Sequence, residues 1–122
     1  MVITKDDFSR YISKSFFPAP VKKGEPPSFT IKLEPCEAVD GDEVEFTAKI
    51  NGTDPINLKW LREGKPLQNK ADFEQTYVGG IARLVIAEVF PDDSGSYTIE
   101  VSNEWGQASS TAQLTVKGNR DI

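Results

Sequence analysis

The sequence predicts an all-β protein: an antiparallel β-sandwich of seven or eight short strands behind an N-terminal extension. Three observations carry this reading. Between Ser28 and Lys117, apolar residues recur at every second position in short runs. Gly, Asn, Asp and Pro separate those runs at spacings of roughly 8–12 residues, the rhythm of a two-sheet domain of about 95 residues. A proline-rich stretch from Pro18 to Pro27 divides this region from residues with a different periodicity.

Thr4-x-x-Asp7 opens the extension with the spacing of a capping box, Asp standing in place of the usual Glu. Phe8, Tyr11, Ile12 and Phe16 then share one face at helical spacing, with Phe17 just off it and Arg10 and Lys14 elsewhere. This spacing predicts a short amphipathic helix over 4–17. It is too short to persist alone in water, so it forms only against a surface. Residues 18–27 form a semi-rigid connector, because Pro18, Pro20, Pro26 and Pro27 break a helix and favour extended backbone.

Ser28–Glu34 alternates and ends at Pro35, the mark of an edge strand. After a turn at Asp40–Asp42, Val44, Phe46, Ala48 and Ile50 alternate with Glu45, Thr47 and Lys49, giving one apolar and one wet face. Asn51–Pro55 turns the chain into a strand carrying Ile56, Leu58 and Trp60, and Glu63–Pro66 turns it again. Phe73–Val78 and Ile81–Val89 flank Gly79-Gly80, a two-residue hairpin signal. Tyr97, Ile99 and Val101 alternate next. Asn103–Gly106 then turns into Gln107–Lys117, which carries Ala112, Leu114 and Val116. Domain bounds follow: extension 1–27, sandwich 28–117, and a short C-terminal tail over 118–122.

The 122 residues carry a net charge of −5, which argues against a nucleic-acid partner. The charge is uneven: residues 1–27 are net +2 and residues 28–122 net −7. No run is long and apolar enough to span a membrane, and the N-terminus lacks the apolar core of a signal peptide. With no histidine and one cysteine, a Cys/His zinc site, a histidine-based triad and an internal disulfide are all excluded. The lone thiol points to a reducing compartment. Cys36 itself reads as a half-buried small apolar residue or as a reactive thiol.

No motif points to an enzyme, and no cofactor or metal is expected. Asp6–Asp7 and Asp92–Asp93 sit at a helix start and a turn, where acids fix backbone geometry. Gly79-Gly80 lacks the lysine and helix of a phosphate loop. Asp40-Gly41-Asp42-Glu43 lacks the spacing of a calcium loop. Asn51-Gly52-Thr53 is a glycosylation triplet that an Asn-Gly turn equally explains. Trp105, in the last turn, reads either as a contact point or as a ring partly buried against that turn.

Several phrases together carry a family resemblance: Gly41-x-x-Val44-x-Phe46, Trp60, Leu84-x-Ile86-x-x-Val89, Asp93-x-Gly95-x-Tyr97 and Asn103-x-x-Gly106. Over 28–117 the chain resembles an immunoglobulin domain of the intermediate set. The resemblance implies that Trp60 packs where an inter-sheet disulfide lies and that Tyr97 forms a tyrosine corner. It also places the two bridge positions at Ala48 and Ile99, neither a cysteine. Such bridge-free domains resemble those of the intracellular giant muscle proteins, of the titin, twitchin, kettin, myosin-binding protein C and myosin light-chain kinase type.

The implied function is a cytoplasmic structural link, spacer and docking module whose partners are other sarcomeric or cytoskeletal protein domains. An extracellular adhesion or receptor domain is the alternative. A third reading gives regulation to the extension, with Phe8, Tyr11, Ile12, Phe16 and Phe17 contacting a kinase, a calcium sensor or the sandwich itself. A bridge-free core predicts that thermal unfolding at low protein concentration has the same midpoint with and without reductant. A large drop on reduction contradicts the reading.

Overall fold

Two sheets face each other across one apolar core in the computed structural model, which describes residues 24–67 and 71–118. The helix expected over 4–17, with Phe8, Tyr11, Ile12, Phe16 and Phe17, lies outside the described residues. One sheet holds β1 (Ser28–Ile31), β3 (Val44–Asn51), β7 (Ile81–Ile86) and β6 (Phe73–Val78), in the order β1-β3-β7-β6. The other holds β2 (Cys36–Val39), β9 (Gly106–Lys117), β8 (Gly95–Asn103), β4 (Asn57–Arg62) and β5 (Lys65–Pro66), in the order β2-β9-β8-β4-β5. A 3-10 turn, Pro91–Asp93, leads into β8. The all-β sandwich anticipated from alternation is the fold.

Alternation sets the core. In β3 the side chains of Val44, Phe46, Ala48 and Ile50 are buried while Glu45, Lys49 and Asn51 are exposed. β8 buries Tyr97, Ile99 and Val101, and β9 buries Ala112, Leu114 and Val116, each from every second position. Antiparallel registers Val44↔Ile86 and Trp60↔Ile99 bring these inward positions into line along each sheet.

The edge strand expected over Ser28–Glu34 ends at Ile31, and a second strand that the sequence reading did not anticipate, β2, follows Pro35 in the other sheet. β1 pairs antiparallel with β3, its register shifting between Phe29 and Ile31. The chain then crosses over, and β2 pairs parallel with β9 from Cys36↔Leu114 to Val39↔Lys117. Period two would place Ile31 and Leu33 on one face, yet Ile31 is 53% exposed and Leu33 only 6%. Pro35 has no N–H to extend a ladder. Leu33 plugs the core during the crossing, and its N–H donates to the buried Ser110 Oγ at 3.1 Å.

Two smaller differences have local causes. The strand expected over Ile81–Val89 ends at Ile86: the Ala87 N–H still donates to the Asp72 carbonyl at 2.9 Å in the same register, but by Val89 the chain has turned to the Asp40–Asp42 turn, where the Val89 carbonyl accepts the Gly41 N–H at 2.8 Å. Val89 is nonetheless fully buried, with its N–H on the Asp42 carbonyl at 2.9 Å. Glu63–Pro66, read as a turn, is a tight hairpin ending in β5, where Leu61 pairs with Pro66.

Trp60 is 2% exposed in the centre of the sandwich, whereas Trp105 is 39% exposed at its end. Trp60→Ala therefore costs about 3–5 kcal/mol, and Trp105→Ala far less, by denaturant titration. Equal losses contradict this placement of the core.

Candidate functional site

The residues singled out by the sequence gather at two places. The first is the corner where the chain enters β8. Tyr97 is fully buried and its O–H donates to the Asp93 carbonyl at 2.7 Å. Its ring stacks on Phe46, with centroids 5.3 Å apart and planes at 29°. The Arg62 guanidinium lies 6.0 Å from the ring centroid and donates to the carbonyls of Asp92 and Ser94. The Asp93 carboxylate accepts the Phe90 N–H at 2.8 Å, and the Glu63 carboxylate accepts the Ser96 N–H at 2.6 Å. Gly95, at φ 148°, leaves room for that Glu63 carboxylate where a Cβ would lie.

Ala48, Leu84 and Ile99 are fully buried members of the same core as Trp60 and Tyr97. Ala48 lies beside Ala82 across β3 and β7, and Ile99 beside Trp60 across β4 and β8. The small Ala48 and the larger Ile99 thus bring only apolar atoms to the centre.

Cys36 is the single free thiol, half-buried on β2 with its Sγ 3.9 Å from the Glu45 carbonyl. Burial, and secondarily the charge of Glu34, push its pKa above the usual thiol value. It stays protonated at neutral pH, which favours the small-apolar reading over the reactive one.

The second place is the end of the sandwich where the chain arrives, and the sequence reading did not assemble it. Asn103 is its hub. Its Nδ2 donates to the carbonyls of Glu25 at 2.7 Å and Thr53 at 2.9 Å. Its Oδ1 accepts the N–H groups of Trp105 at 2.8 Å and Gly106 at 3.1 Å. Glu25 and Thr53 also bond each other directly: Glu25 N–H to Thr53 Oγ1 at 2.9 Å, and Thr53 N–H to the Glu25 carbonyl at 3.2 Å. One side chain thereby ties the connector, the β3–β4 loop and the β8–β9 turn together.

Close backbone approach completes this clamp. A Cβ on Gly52 would lie 2.9 Å from Pro27 Cα, and one on Gly106 2.8 Å from Pro26 Cβ. A Cβ on Gly24 would overlap the Trp105 ring, so the indole rests directly on the connector backbone. Trp105 is thus partly buried against Gly24 of the connector. Gly24–Pro27, read as connector, are held along the sandwich end. Asn103-x-x-Gly106 and Pro26-Pro27 were the available signals, but nothing in their separate spacings says that they meet.

Among the described residues no group of His, Cys, Asp or Glu is arranged to hold a metal ion. No helix among them is long and apolar enough to cross a membrane.

The family model described as immunoglobulin I-set domain matches residues 27–116. The chain is 37% identical over 100 residues to the muscle M-line assembly protein unc-89 of Caenorhabditis elegans, covering 82% of this chain and 1% of that protein. It is 38% identical over 104 residues to myopalladin of Mus musculus, covering 79% of this chain and 8% of that protein. Among solved structures, the titin domains z1z2 in complex with telethonin match at 33% identity with a TM-score of 0.77, over 80% of this chain and 50% of that one. The chain therefore spans a small fraction of the length of unc-89 and myopalladin.

The buried corner gives a pH signature. Burial, opposed in part by Arg62 and reinforced by Asp93 and Glu63, raises the Tyr97 pKa from 10.0 to about 12. The folded state holds the phenol proton more tightly, so this stability is complete below pH 10 and is lost as pH rises towards about 12. The loss is about 2–3 kcal/mol. Tyr97→Phe, which lacks the titrating group, costs about 1 kcal/mol at neutral pH. Denaturant titrations should show the gap between wild type and variant narrowing and reversing across that window, and a constant gap contradicts the assignment.

Proposed function

The chain belongs to the immunoglobulin I-set family, and we propose from that premise that it serves as a structural link and docking module in a multidomain protein of the muscle cytoskeleton. The fold is typically non-enzymatic, and its relatives include muscle proteins such as unc-89 and myopalladin. Cytoplasmic placement at the sarcomere is part of the proposal, as are partner domains of other sarcomeric proteins. The related titin domains solved in complex with telethonin support docking by domains of this kind.

The observation that carries the spacer reading is the geometry of the two chain ends. The connector is clamped beside Gly106, where β9 begins, and β9 runs from there to Lys117. At about 3.3 Å per residue, its 12 residues separate the two ends by roughly 40 Å. Tension applied at the ends draws β2 towards the clamped pole and β9 towards the other. These neighbours are parallel, paired over Cys36–Val39 and Leu114–Lys117. Their hydrogen bonds are consequently sheared together and not opened one by one.

Single-molecule extension of the full chain tests the reading. Glu37→Pro with Ala38→Pro removes a donor from the β2–β9 ladder and should lower the unfolding force well below wild type. Thr76→Pro on β6, outside the load path, should weaken equilibrium stability while leaving the force closer to wild type. Equal reductions in force at matched stability overturn the mechanical part of the proposal.

A further inference from the structure

The chain emerges at Gly24 from beneath the Trp105 ring, and beside that point the outer face of β4, β8 and β9 carries a hollow. Asn57, Leu58, Lys59, Glu100, Ser102 and Ala108 are among its lining residues. Topology fixes the proximity. The loop and turn that clamp the connector, 51–55 and 103–106, are the connections that open into the strands lining this hollow.

Its electrostatics are lopsided. In the connector end, the β3–β4 loop and these strand ends, Glu25, Asp54, Glu100 and Glu104 are all exposed carboxylates. Over 24–27, 51–59 and 100–109, Lys59 is the one cationic side chain, paired with Glu100 at 3.7 Å. Residues 8–17 of the same chain hold Arg10 and Lys14 and no acid, together with Phe8, Tyr11, Ile12, Phe16 and Phe17. The two charges are complementary, and the aromatic side chains of 8–17 would bury apolar surface against this face.

Reach is sufficient. From Phe17 to Gly24 the chain has seven steps and two prolines, a span of about 22 Å when extended at ~3.1 Å per residue. Three adjacent strands cover only about 10 Å. Because the occupant is tethered, its effective concentration is high without any tight intrinsic affinity.

We propose that residues 8–17 dock on the outer face of β4, β8 and β9 of their own chain, seated in the hollow beside Trp105. Arg10 and Lys14 face Glu100 in the lining and Glu104 in the adjoining turn, and the apolar side chains cover the hollow. The sandwich then carries an intramolecular occupant on a face that a competing protein partner must first displace. This goes beyond the spacer reading and is independent of it, since the unfolding force of the β2–β9 ladder does not report on this face.

Backbone amide spectra of the full chain test the proposal, with the signals of buried Trp60 and Tyr97 verifying that each variant is folded. Phe16→Ser with Phe17→Ser should shift the amides of Lys59, Glu100, Ser102 and Gln107–Ser109 and speed their hydrogen exchange, equally after tenfold dilution. Arg10→Glu with Lys14→Glu should reduce the docked fraction several-fold. Adding Glu100→Lys and Glu104→Lys to that variant should restore it. Unmoved hollow amides, or shifts confined to the β1-β3-β7-β6 sheet, overturn the proposal. Shifts that vanish on dilution assign the face to a second copy of the chain and overturn it too, as does a charge reversal without restoration.

Discussion

The fold depends on apolar packing between two sheets that no disulfide staples together. Its one cysteine lies on β2, leaving Ala48 and Ile99 where the family resemblance implies a bridge. A disulfide in a small domain contributes about 2–4 kcal/mol, chiefly by restricting the unfolded chain. Full burial of a large apolar side chain contributes about 1.5–3 kcal/mol. Tyr97, Phe46, Leu84, Ile86, Ile99, Leu114, Val89 and Val101 are all essentially inaccessible to water. A few such residues match the missing staple, and their strict alternation along β3, β7, β8 and β9 makes the packing possible.

Packing alone leaves the ends of the sandwich undetermined, and there polar groups take over. At one end the Tyr97 hydroxyl, the Asp93 carboxylate and the Arg62 guanidinium satisfy backbone groups of the 3-10 turn that no strand partner reaches. At the other, all the hydrogen-bonding capacity of the Asn103 amide that is used goes to backbone atoms of three separate segments. At both ends a few polar side chains fix backbone that no ladder holds, which is why these positions are polar although they border the core.

How much was legible in the sequence follows the range of the signal. Val44–Ile50 and Tyr97–Val101 were readable because burial on one face imposes period two on neighbouring residues. The Gly79-Gly80 hairpin was readable because its chemistry is local. The crossover at Leu33–Pro35 was not, since alternation continues through Leu33 on paper while the chain changes sheets in space. Likewise Asn103 lies 78 positions from the Glu25 carbonyl that it binds, and no spacing rule reaches that far. Trp105 was left between two surroundings because its actual neighbour, Gly24, belonged to a segment assigned to the connector.

The prolines that made the connector look separate are also what makes its clamping inexpensive. Pro26 and Pro27 have little backbone freedom to lose, so ordering them against Gly106 and Gly52 costs less than ordering ordinary residues. The glycines on the sandwich side supply the close approach, and Asn103 supplies direction through its bonds to Glu25 and Thr53. Gly24 then leaves the domain under an aromatic ring that blocks a side chain at that position. A connector held in this way passes orientation, and not merely tension, to whatever precedes it. The same clamp fixes where tension enters the sandwich and where the connector meets it, at Gly24 beneath the Trp105 ring.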